Sequence, residues 1–334
     1  MKKVKAIAML SGGLDSILAA RLVKEQGIEV WGLNFNTVFC TCTSKNSTCM
    51  ASVSAAKQLG VPLKVVNISR EYLDVVKNPA HGYGSNMNPC IDCRIFTFKK
   101  AKEYMRETGA AFLITGEVAG QRPMSQKRHT LRHLEKETGL EGLILRPLSA
   151  KALEPTIPEK MGWVDRNKFM DIQGRGRKPQ IQLAIDLSIK DYPCPSGGCL
   201  LTDFGFAKRV KDLIKHDEFT LENTNLLKLG RHFRLSDDLK AVVGRDEEEN
   251  KRLLNSIKDG DVVFRVLHYP GPIVIARGKM DISQAEFLAG IAVRYSDANG
   301  SPSVEVEYYR HPNQDKAVIR TVKCPPDLLE GLRI

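Results

Sequence analysis

The 334-residue chain lacks several patterns that identify common classes of protein. No apolar run approaches the roughly 18 residues typical of a membrane-spanning helix, and the N-terminus has no signal-peptide cleavage pattern. Its first glycine-rich segment is not followed by the Gly-Lys-Ser/Thr of a Walker loop and forms no dinucleotide fingerprint. The seven histidines show neither a triad nor a metal-binding spacing. We therefore predict a cytoplasmic protein with no membrane association.

The net charge of +11 is unevenly distributed along the chain. Residues 1–204 hold 29 Lys and Arg against 19 Asp and Glu, whereas residues 205–334 hold 21 against 20. A basic excess of this kind suits a partner with a phosphate backbone, but a solvated basic face has the same composition. The charge alone leaves both interpretations open.

The hydrophobic pattern divides the chain into two parts. Short apolar strands alternate with amphipathic helices in the first part, which is typical of right-handed βαβ units. We predict an α/β fold with a doubly wound parallel sheet over residues 1–204, in which residues 150–200 are irregular. Short alternating strands and turn residues then predict a smaller α+β domain over residues 220–334, with helices near 247–257 and 282–295.

The segment Ser11-Gly12-Gly13-Leu14-Asp15-Ser16 lies between a predicted strand and a predicted helix. Two glycines allow backbone N–H groups to close around an anion, and the helix N-terminus adds a partial positive charge. The two serine hydroxyls can donate to phosphate oxygens, and the aspartate can help to hold Mg²⁺ or orient a nucleotide. A glycine turn with a serine cap is the alternative interpretation.

The eight cysteines are spaced for metal binding or catalysis rather than for disulfides. Cys90 and Cys93 form a Cys-x-x-Cys before a predicted helix, whose N-terminal dipole can lower the pKa of a thiol. Alone this motif fits zinc, iron–sulfur, redox and structural roles equally. Cys199 lies in a glycine-flanked turn much further along. Three more thiols, with a zinc or sulfur-relay role left open, are Cys40, Cys42 and Cys49.

The Ser11–Ser16 segment resembles the pyrophosphatase loop of the PP-loop ATP α-hydrolase superfamily, whose members cleave ATP between the α and β phosphates and adenylate a substrate. Segments 90–94, 110–121 and 145–148 resemble bacterial tRNA 4-thiouridine synthetases, and Asn-Pro-Cys-x-x-Cys also resembles tRNA 2-thiouridylases. The resemblance implies ATP and Mg²⁺ as cofactors and tRNA as a partner. It also implies a sulfur donor, either sulfide or a sulfurtransferase or cysteine desulfurase.

This resemblance assigns roles to individual residues. The implied catalytic residues are Asp15, Cys93 and Cys199. The implied ATP-binding residues are Ser11, Gly12, Gly13, Asp15, Ser16, Gly116 and Glu117, with Asn34 and Asn36 added by position only.

Two forms of sulfur chemistry follow from the resemblance. In iron–sulfur members a Cys-x-x-Cys and one distal cysteine hold a [4Fe–4S] cluster with one open iron, which implies Cys90, Cys93 and Cys199 as ligands. In cluster-free members, Cys93 and Cys199 would instead carry a persulfide and form a transient disulfide. The presence of Cys90 favours the cluster. Cys194 is a possible substitute for Cys199, and a structural or zinc site is a third alternative.

Basic residues supply candidates for RNA binding, with a solvated helix face as the alternative. In the first part they are Arg122, Lys127, Arg128, Arg132, Arg175, Arg177 and Lys178. Segments 229–235 and 244–250 resemble the RNA-binding domain of NFACT proteins, which adds Arg231 and Arg234. A structural or dimerising domain is the alternative for this second part.

The sequence thus predicts an ATP-dependent tRNA thiouridine synthase that adenylates a uracil carbonyl and replaces its oxygen with sulfur. Two alternatives remain open, namely a PP-loop enzyme that adenylates a small molecule and a non-catalytic RNA-binding protein. The sequence does not distinguish C4 from C2 thiolation, and it leaves the oligomeric state open.

Overall fold

The computed structural model describes residues 3–40, 48–193, 199–298, 300–313 and 315–334, with the side chains of Thr48 and Cys49 left out. Two of the predicted cysteines, Cys42 and Cys194, lie outside the described residues. The chain divides into two compact units, Met1–Thr202 and Asp203–Ile334. Residues 205–219, which the sequence analysis assigned to neither domain, belong to the second unit. Among the described residues, no helix is long and apolar enough to cross a membrane.

A five-stranded parallel sheet forms the centre of the first unit, with the strand order β3-β2-β1-β4-β5. Its strands are β1 (Lys5–Met9), β2 (Glu29–Asn36), β3 (Leu63–Asn67), β4 (Phe112–Ile114) and β5 (Ile144–Leu145). The predicted doubly wound parallel sheet is therefore confirmed. The direction of winding reverses between β1 and β4, and ligands of such sheets bind at the carboxyl ends of the strands that flank this point.

Helices cover both faces of this sheet. They are α1 (Leu14–Lys24), α2 (Thr48–Leu59), α3 (Ser69–Lys77), α4 (Cys90–Thr108), α5 (Arg128–Thr138), α6 (Ile157–Lys160) and α7 (Lys178–Asp186). Because side chains alternate along a strand, Ala6 and Ala8 of β1 pack in the core that contains α1, whereas Ile7 packs with α4 on the opposite face.

The prediction that residues 150–200 are wholly irregular is wrong over α7. The Gly- and Pro-rich sequence before this helix resembles a loop, but Pro179 occupies one of its first two positions, where a missing N–H costs no hydrogen bond. Helices α3 and α5 were also absent from the sequence analysis.

The second unit contains a six-stranded antiparallel sheet with the order β11-β10-β8-β9-β7-β6. Its elements are α8 (Phe204–Lys215), α9 (Leu221–Leu226), β6 (Arg231–Ser236), β7 (Leu239–Val243), α10 (Glu247–Leu254), β8 (Val262–Val266), β9 (Ile273–Gly278), α11 (Ile282–Arg294), β10 (Val304–Arg310), β11 (Ala317–Thr321) and α12 (Asp327–Glu330). The predicted α+β class is confirmed. The sequence analysis missed the β6–β7 hairpin. Because β7 is buried on both faces, apolar and polar residues do not alternate along it.

A buried ion-pair network joins α8 to this hairpin. Lys240 of β7 lies 3.1 Å from the Asp212 carboxylate of α8, which also accepts two hydrogen bonds from Arg234 of β6. Burial lowers the pKa of Lys240 to about 8, although Asp212 opposes the shift. Asp212 keeps Arg234 as a partner if the lysine charge is removed.

We predict that Lys240→Met stabilises the second unit at pH 7. The folded-state pKa lies below the ordinary 10.5, so the protonated lysine disfavours folding, by an amount on the order of 3 kcal/mol. Between pH 8 and 10.5 the unfolded chain keeps a proton that the folded chain has lost, so the stability of the wild type should rise relative to the variant. Urea unfolding at pH 7 and pH 10 measures this, with exposed Lys251→Met as the control. If the difference in unfolding free energy between Lys240→Met and the wild type is the same at both pH values, the prediction is wrong.

Candidate nucleotide and cysteine site

The phosphate loop lies at the switch point of the parallel sheet. It follows β1 directly, and α1 begins at Leu14, so the backbone N–H groups of the first turn of α1 open toward the loop. The Ser16 hydroxyl donates to the Gly13 carbonyl at 2.8 Å, and the Ser11 hydroxyl lies 3.2 Å from Ser16 Oγ. The loop therefore has the closed shape and the donors that a phosphate group needs.

Two glycines allow backbone segments to meet around this loop. Gly12 has a φ of +84°, and a Cβ there would lie 2.5 Å from the carbonyl carbon of Ala51 in α2. A Cβ on Gly116, which follows β4, would lie 2.5 Å from both the Asp15 carbonyl carbon and the Ser16 nitrogen. A side chain at either position would push the loop out of place. The structure thus explains both glycines by close backbone approach.

Asp15 lies in the first turn of α1 with one carboxylate oxygen unused. Its Oδ2 accepts a hydrogen bond from the Gln121 amide at 3.3 Å, whereas Oδ1 is buried without a hydrogen-bond partner in the described part of the chain. Burial raises the pKa of Asp15, and the Gln121 hydrogen bond and the charges of Arg177 and Arg122 oppose that shift. A buried carboxylate oxygen of this kind can accept an N–H group or bind a hard cation such as Mg²⁺.

Arg122 and Arg177, two of the predicted RNA-binding residues, lie beside the phosphate loop. Both act electrostatically on Asp15, and Arg122 acts on Cys90 as well. Desolvation lowers the pKa of Arg122, and the positive charge of nearby Arg94 lowers it further. Arg177 is half-buried at the start of α7, and its Nε has no hydrogen-bond partner among the described residues. Arg122 is exposed and Arg177 is half-buried, and their predicted role in RNA binding stays a prediction.

Glu117, a predicted ATP-binding residue, is instead part of a buried ion-pair network. Only 2% of its surface is exposed, and its carboxylate accepts from Arg146 Nε at 3.1 Å and pairs with Arg94 Nε at 3.4 Å. Arg146 also pairs with Glu135 of α5. These two ion pairs tie Glu117 to α4 and to the edge of the sheet. Its Oε1 has no hydrogen-bond partner among the described residues, so contact with ATP stays a prediction.

The two asparagines of β2 also have structural contacts. The Asn34 amide donates to the Leu10 carbonyl at 2.9 Å, which fixes the end of β1 just before the phosphate loop, although its Oδ1 has no hydrogen-bond partner in the described structure. The backbone carbonyl of Asn36 accepts from Ile68 at 3.0 Å. Asn34 therefore positions the loop, and direct contact of either residue with ATP stays a prediction.

The Cys-x-x-Cys motif forms the first turn of α4, which begins at Cys90. Residues three apart lie on the same face of a helix, so the two thiols are neighbours. The Cys93 thiol accepts a hydrogen bond from the hydroxyl of Tyr72 on α3. Arg94, one residue further, carries the ion pair with Glu117. The motif is thus fixed to the same edge of the sheet as the phosphate loop.

The distal Cys199 reaches this motif through backbone hydrogen bonds. The Leu200 N–H donates to the Phe39 carbonyl at 3.0 Å, and the Met87 N–H donates to the Leu201 carbonyl at 3.1 Å. The Cys199 thiol accepts from the Leu201 N–H, and charges on Cys93 and Cys90 raise the pKa of Cys199. The three thiols thus belong to one neighbourhood, and their role as a ligand set stays a prediction.

The expectation that the helix dipole lowers thiol pKa values in this motif is wrong for the metal-free protein. Burial raises the pKa of Cys90 and of Cys93, although Arg94 opposes both shifts. Burial raises the pKa of Cys199 to about 12. Desolvation of the thiolate outweighs the nearby positive charge of Arg94 at the start of this helix. At neutral pH these thiols are therefore protonated unless a cation replaces their protons.

The spacing of the thiols discriminates between kinds of metal site. In the described ranges, no three His, Cys, Asp or Glu side chains are close enough to hold a single metal ion. A zinc ion brings its four ligands within about 2.3 Å of one point. The thiolates of a [4Fe–4S] cluster bind different irons and stand further apart. Whether the three thiols hold a cluster, a zinc ion or a persulfide stays a prediction.

The other predicted RNA-binding residues of the first unit lie at its surface. Lys127, Arg128, Arg132, Arg175 and Lys178 are exposed. Arg128 donates to the Gln173 side chain at 2.9 Å, and Arg132 makes a loose pair with Glu154 at 3.8 Å. Exposed contacts of this kind contribute little to the stability of the fold, so these side chains can leave them to bind a phosphate group. RNA binding by these five residues stays a prediction.

In the second unit the two predicted arginines differ. Arg234 makes hydrogen bonds of 2.7–3.0 Å with both oxygens of Asp212 and of Glu218. These contacts raise the pKa of Arg234 against the effect of burial. Arg231 lies over the Tyr295 ring, 4.6 Å from its centroid. Arg234 is thus a structural residue, which argues against its predicted role in RNA binding.

The comparison with known proteins agrees with this geometry. Residues 4–158 match the family described as the tRNA methyl transferase HUP domain, and residues 230–330 match the NFACT protein RNA binding domain. The predicted resemblance to PP-loop tRNA thiouridine synthetases, followed by an NFACT-like domain, is confirmed.

Individual relatives are similar to only part of this chain. The tRNA-specific 2-thiouridylase MnmA of Staphylococcus haemolyticus is 29% identical over 246 residues, which cover 69% of this chain and 62% of the relative. The MnmA of Staphylococcus saprophyticus is 30% identical over 151 residues, which cover 42% and 39%. The chain thus spans less than two thirds of the length of these curated relatives. A solved 4-thiouridine synthetase–RNA complex with bound ATP is 20% identical and covers 66% of this chain and 53% of that chain, with a TM-score of 0.37.

We predict that Gly116→Ala weakens ATP binding by at least about tenfold, because the added Cβ must displace the Asp15–Ser16 backbone that opens α1. Gly176→Ala is the matched control, since a Cβ at Gly176 meets nothing within 4 Å. Titration calorimetry with ATP and Mg²⁺ measures the affinity, and circular dichroism checks the fold. Equal affinities of Gly116→Ala and the wild type contradict this account of the loop.

We predict that alkylation of Cys199 in chelator-treated protein accelerates about tenfold for each unit of pH between 7 and 10. The reason is that only the thiolate reacts and burial raises the pKa of Cys199 to about 12. Mass spectrometry of quenched iodoacetamide reactions measures the rate, with glutathione as an unperturbed thiol. A plateau for Cys199 below pH 9 is inconsistent with the burial argument.

Proposed function

We propose that the protein is an ATP-dependent tRNA thiouridine synthase that adenylates a uracil carbonyl oxygen and replaces it with sulfur. One observation carries the proposal. Gly116 packs against the Asp15–Ser16 backbone of the phosphate loop, and its neighbour Glu117 pairs with Arg94 at 3.4 Å, one residue after Cys93. Two consecutive residues therefore join the group for nucleotide activation to the group for sulfur transfer. The similarity to tRNA-specific 2-thiouridylases supports tRNA as the substrate.

Phosphate binding would depend on the loop and on two arginines. The α1 N-terminus offers backbone N–H groups, and Ser11 and Ser16 offer hydroxyls. Arg122 and Arg177 add two positive charges on the side of Asp15. The free Oδ1 of Asp15 suits Mg²⁺, which binds nucleotide phosphates through one or two carboxylates. These groups would stabilise the charge that develops on pyrophosphate as it leaves.

The chemistry follows from the poor leaving ability of a carbonyl oxygen. The uracil oxygen attacks the α-phosphate of ATP, the bond to pyrophosphate breaks, and the base becomes O-adenylated. A sulfur nucleophile then forms a bond to the same carbon, and AMP departs with the oxygen. Adenylation converts a poor leaving group into a good one, which divides a difficult substitution into two steps.

The three thiols of Cys90, Cys93 and Cys199 would hold a [4Fe–4S] cluster. They form an all-sulfur donor set spread over two segments, which suits an iron–sulfur cluster. Their pKa values are raised, so binding iron would have to release their protons. When bound through three protein thiolates, such a cluster offers one open iron to an external sulfide. Tyr72 and Arg94 would stabilise the thiolate charge of Cys93. The sulfur source would be sulfide or a partner sulfurtransferase or cysteine desulfurase.

The exposed basic residues of the first unit would bind the tRNA backbone, and the NFACT-like second unit would add a further RNA contact. The five residues of the first unit are Lys127, Arg128, Arg132, Arg175 and Lys178. Because these side chains are exposed and their contacts within the protein are weak, their contribution to tRNA affinity should fall as the salt concentration increases.

The proposal is tested by anaerobic purification of the full chain, followed by an absorbance spectrum and iron and sulfide analysis. The wild type should show a broad band near ~400 nm and about four irons, and Cys90→Ala, Cys93→Ala and Cys199→Ala should each lose both. Cys324→Ala, in the second unit, is the matched control. A colourless, iron-free wild type contradicts the cluster and leaves persulfide chemistry at Cys93 and Cys199.

We predict that tRNA stimulates the release of pyrophosphate from ATP and that Asp15→Ala lowers this rate by about 100-fold or more, through loss of a nucleotide or Mg²⁺ contact. Exposed Asp186→Ala should have no effect. Full activity of Asp15→Ala, or no release with tRNA by the wild type, would refute the proposed function.

We also predict that Arg177→Ala raises the KM for ATP about tenfold and leaves tRNA affinity nearly unchanged, because Arg177 faces Asp15. Lys127→Ala is the contrasting variant, since its exposed charge should affect tRNA affinity only. Pyrophosphate assays and filter binding at two salt concentrations separate the two effects. If Arg177→Ala weakens tRNA binding without changing the KM for ATP, Arg177 contacts RNA instead.

A further inference from the structure

A fourth cysteine, Cys40, lies at the same edge of the sheet as the three thiols assigned above. It follows β2 by four residues, in a turn where the Cys40 N–H donates to the Thr37 carbonyl at 3.1 Å. The Thr37 N–H donates in return to Cys40 Sγ at 3.4 Å, and the Thr37 hydroxyl lies 3.6 Å from the same sulfur. Thr37 thus fixes the position of this thiol and offers it two polar hydrogens.

The turn is joined directly to the segment that contains Cys199. The Phe39 carbonyl accepts the Leu200 N–H at 3.0 Å, so Cys40 and Cys199 are each one residue away from the same hydrogen bond. The Phe39 ring meets the ring of Tyr72 edge-on, with centroids 5.8 Å apart. Tyr72 is the residue whose hydroxyl donates to Cys93. Cys40 is therefore connected to Cys199 through the backbone and to Cys93 through the edge-on contact of Phe39 with Tyr72.

Electrostatics agree with this placement. A charge on Cys40 raises the pKa of Cys93 and that of Cys199. These thiols therefore share one environment, although they belong to three distant segments of the chain. The sequence analysis left Cys40 between a zinc site and a sulfur relay, and the three ligands of the proposed cluster do not include it.

We propose that Cys40 is the thiol that receives sulfur from the donor and carries it as a persulfide. The inference rests on the proposed function and names the entry point of its sulfur. The Cys40 thiolate attacks the terminal sulfur of a donor persulfide, R–S–SH, and a bond forms between that sulfur and Cys40 Sγ. The sulfur–sulfur bond of the donor breaks, and R–S⁻ leaves with the electron pair and takes up the proton that Cys40 released. The exchange involves no net oxidation.

This role accounts for a thiol outside the ligand set. A cysteine that coordinates iron cannot attack a donor at the same time, so a site with three ligands needs a separate acceptor. Because Cys40 lies next to the Phe39–Leu200 hydrogen bond that holds the Cys199 segment, the carried sulfur arrives beside the proposed cluster ligands. A second thiol such as glutathione then attacks Cys40 Sγ, a disulfide forms between that thiol and Cys40, and the outer sulfur leaves as sulfide with the electron pair of the broken sulfur–sulfur bond. Inorganic sulfide needs no acceptor thiol and should bypass Cys40.

The inference is tested with the full-length protein and glutathione persulfide as the sulfur donor. After brief incubation, alkylation and digestion, mass spectrometry should find one added sulfur on Cys40. Cys42 lies in the same tryptic peptide, so Cys42→Ser is examined in parallel to assign the modified residue. Added sulfur on any other cysteine while Cys40 remains unmodified overturns the inference.

Activity with two donors gives an independent readout. Cys40→Ser should reduce persulfide-driven tRNA thiolation at least about tenfold, and inorganic sulfide should rescue the variant. Its iron content should equal that of the wild type, because Cys40 is not a ligand. Cys324→Ser should behave as the wild type with both donors. If Cys40→Ser loses iron, Cys40 belongs to the ligand set and the inference is wrong.

The outcomes separate this inference from the proposed function. If the wild type thiolates tRNA with neither donor, the proposed function fails. If it thiolates tRNA with sulfide, but Cys40 never carries sulfur and Cys40→Ser is fully active with persulfide, only the inference fails.

Discussion

The buried carboxylate of Glu117 is the contact on which the site depends. It holds Arg94 of α4 and Arg146 after β5, so it ties the cysteine helix and the edge of the sheet to the loop that follows β4. Its neighbour Gly116 packs against the Asp15–Ser16 backbone. Two consecutive residues thus fix the positions of the phosphate loop and the Cys-x-x-Cys turn. Removing a partner of a buried ion pair typically costs about 3–5 kcal/mol, so this junction is rigid.

Burial raises the pKa of Asp15 in the phosphate loop as well as the pKa values of the cysteines. At the phosphate loop, burial also leaves Oδ1 of Asp15 without a hydrogen-bond partner among the described residues, so this oxygen can accept an N–H group or bind a cation. At the cysteines it raises the pKa values and keeps the thiols protonated. A protonated thiol is a weak nucleophile, so these cysteines are stable in the metal-free protein. Both halves are thus prepared for positively charged ligands that the protein itself does not supply.

The second unit shows why basic residues in a motif do not locate an RNA surface by themselves. Arg234 is bound to Asp212 and Glu218, and Arg245 pairs with Glu249 of α10. These internal contacts stabilise the unit and match its near-neutral composition. The resemblance to an RNA-binding domain, which the sequence analysis drew from segments 229–235 and 244–250, is matched over residues 230–330 and does not depend on these arginines.

The sequence by itself determined the features that depend on neighbouring residues. The strand, glycine loop and helix around Ser11–Ser16 follow from local periodicity, and the Cys-x-x-Cys turn follows from the helix that it opens. The alternation of apolar residues was enough to predict a parallel doubly wound sheet and a separate α+β domain.

Only the tertiary structure decided which distant groups meet and how they ionise. The hydrogen bond between Phe39 and Leu200 brings Cys40 beside Cys199, and α7 places Arg177 beside Asp15 instead of in a solvent-exposed basic turn. Glu117 resembled a ligand in the sequence, but its two arginine partners come from α4 and from the end of β5. The sign of the thiol pKa shifts also required the fold. A helix dipole is visible in the sequence, whereas desolvation depends on every segment that packs around the sulfur.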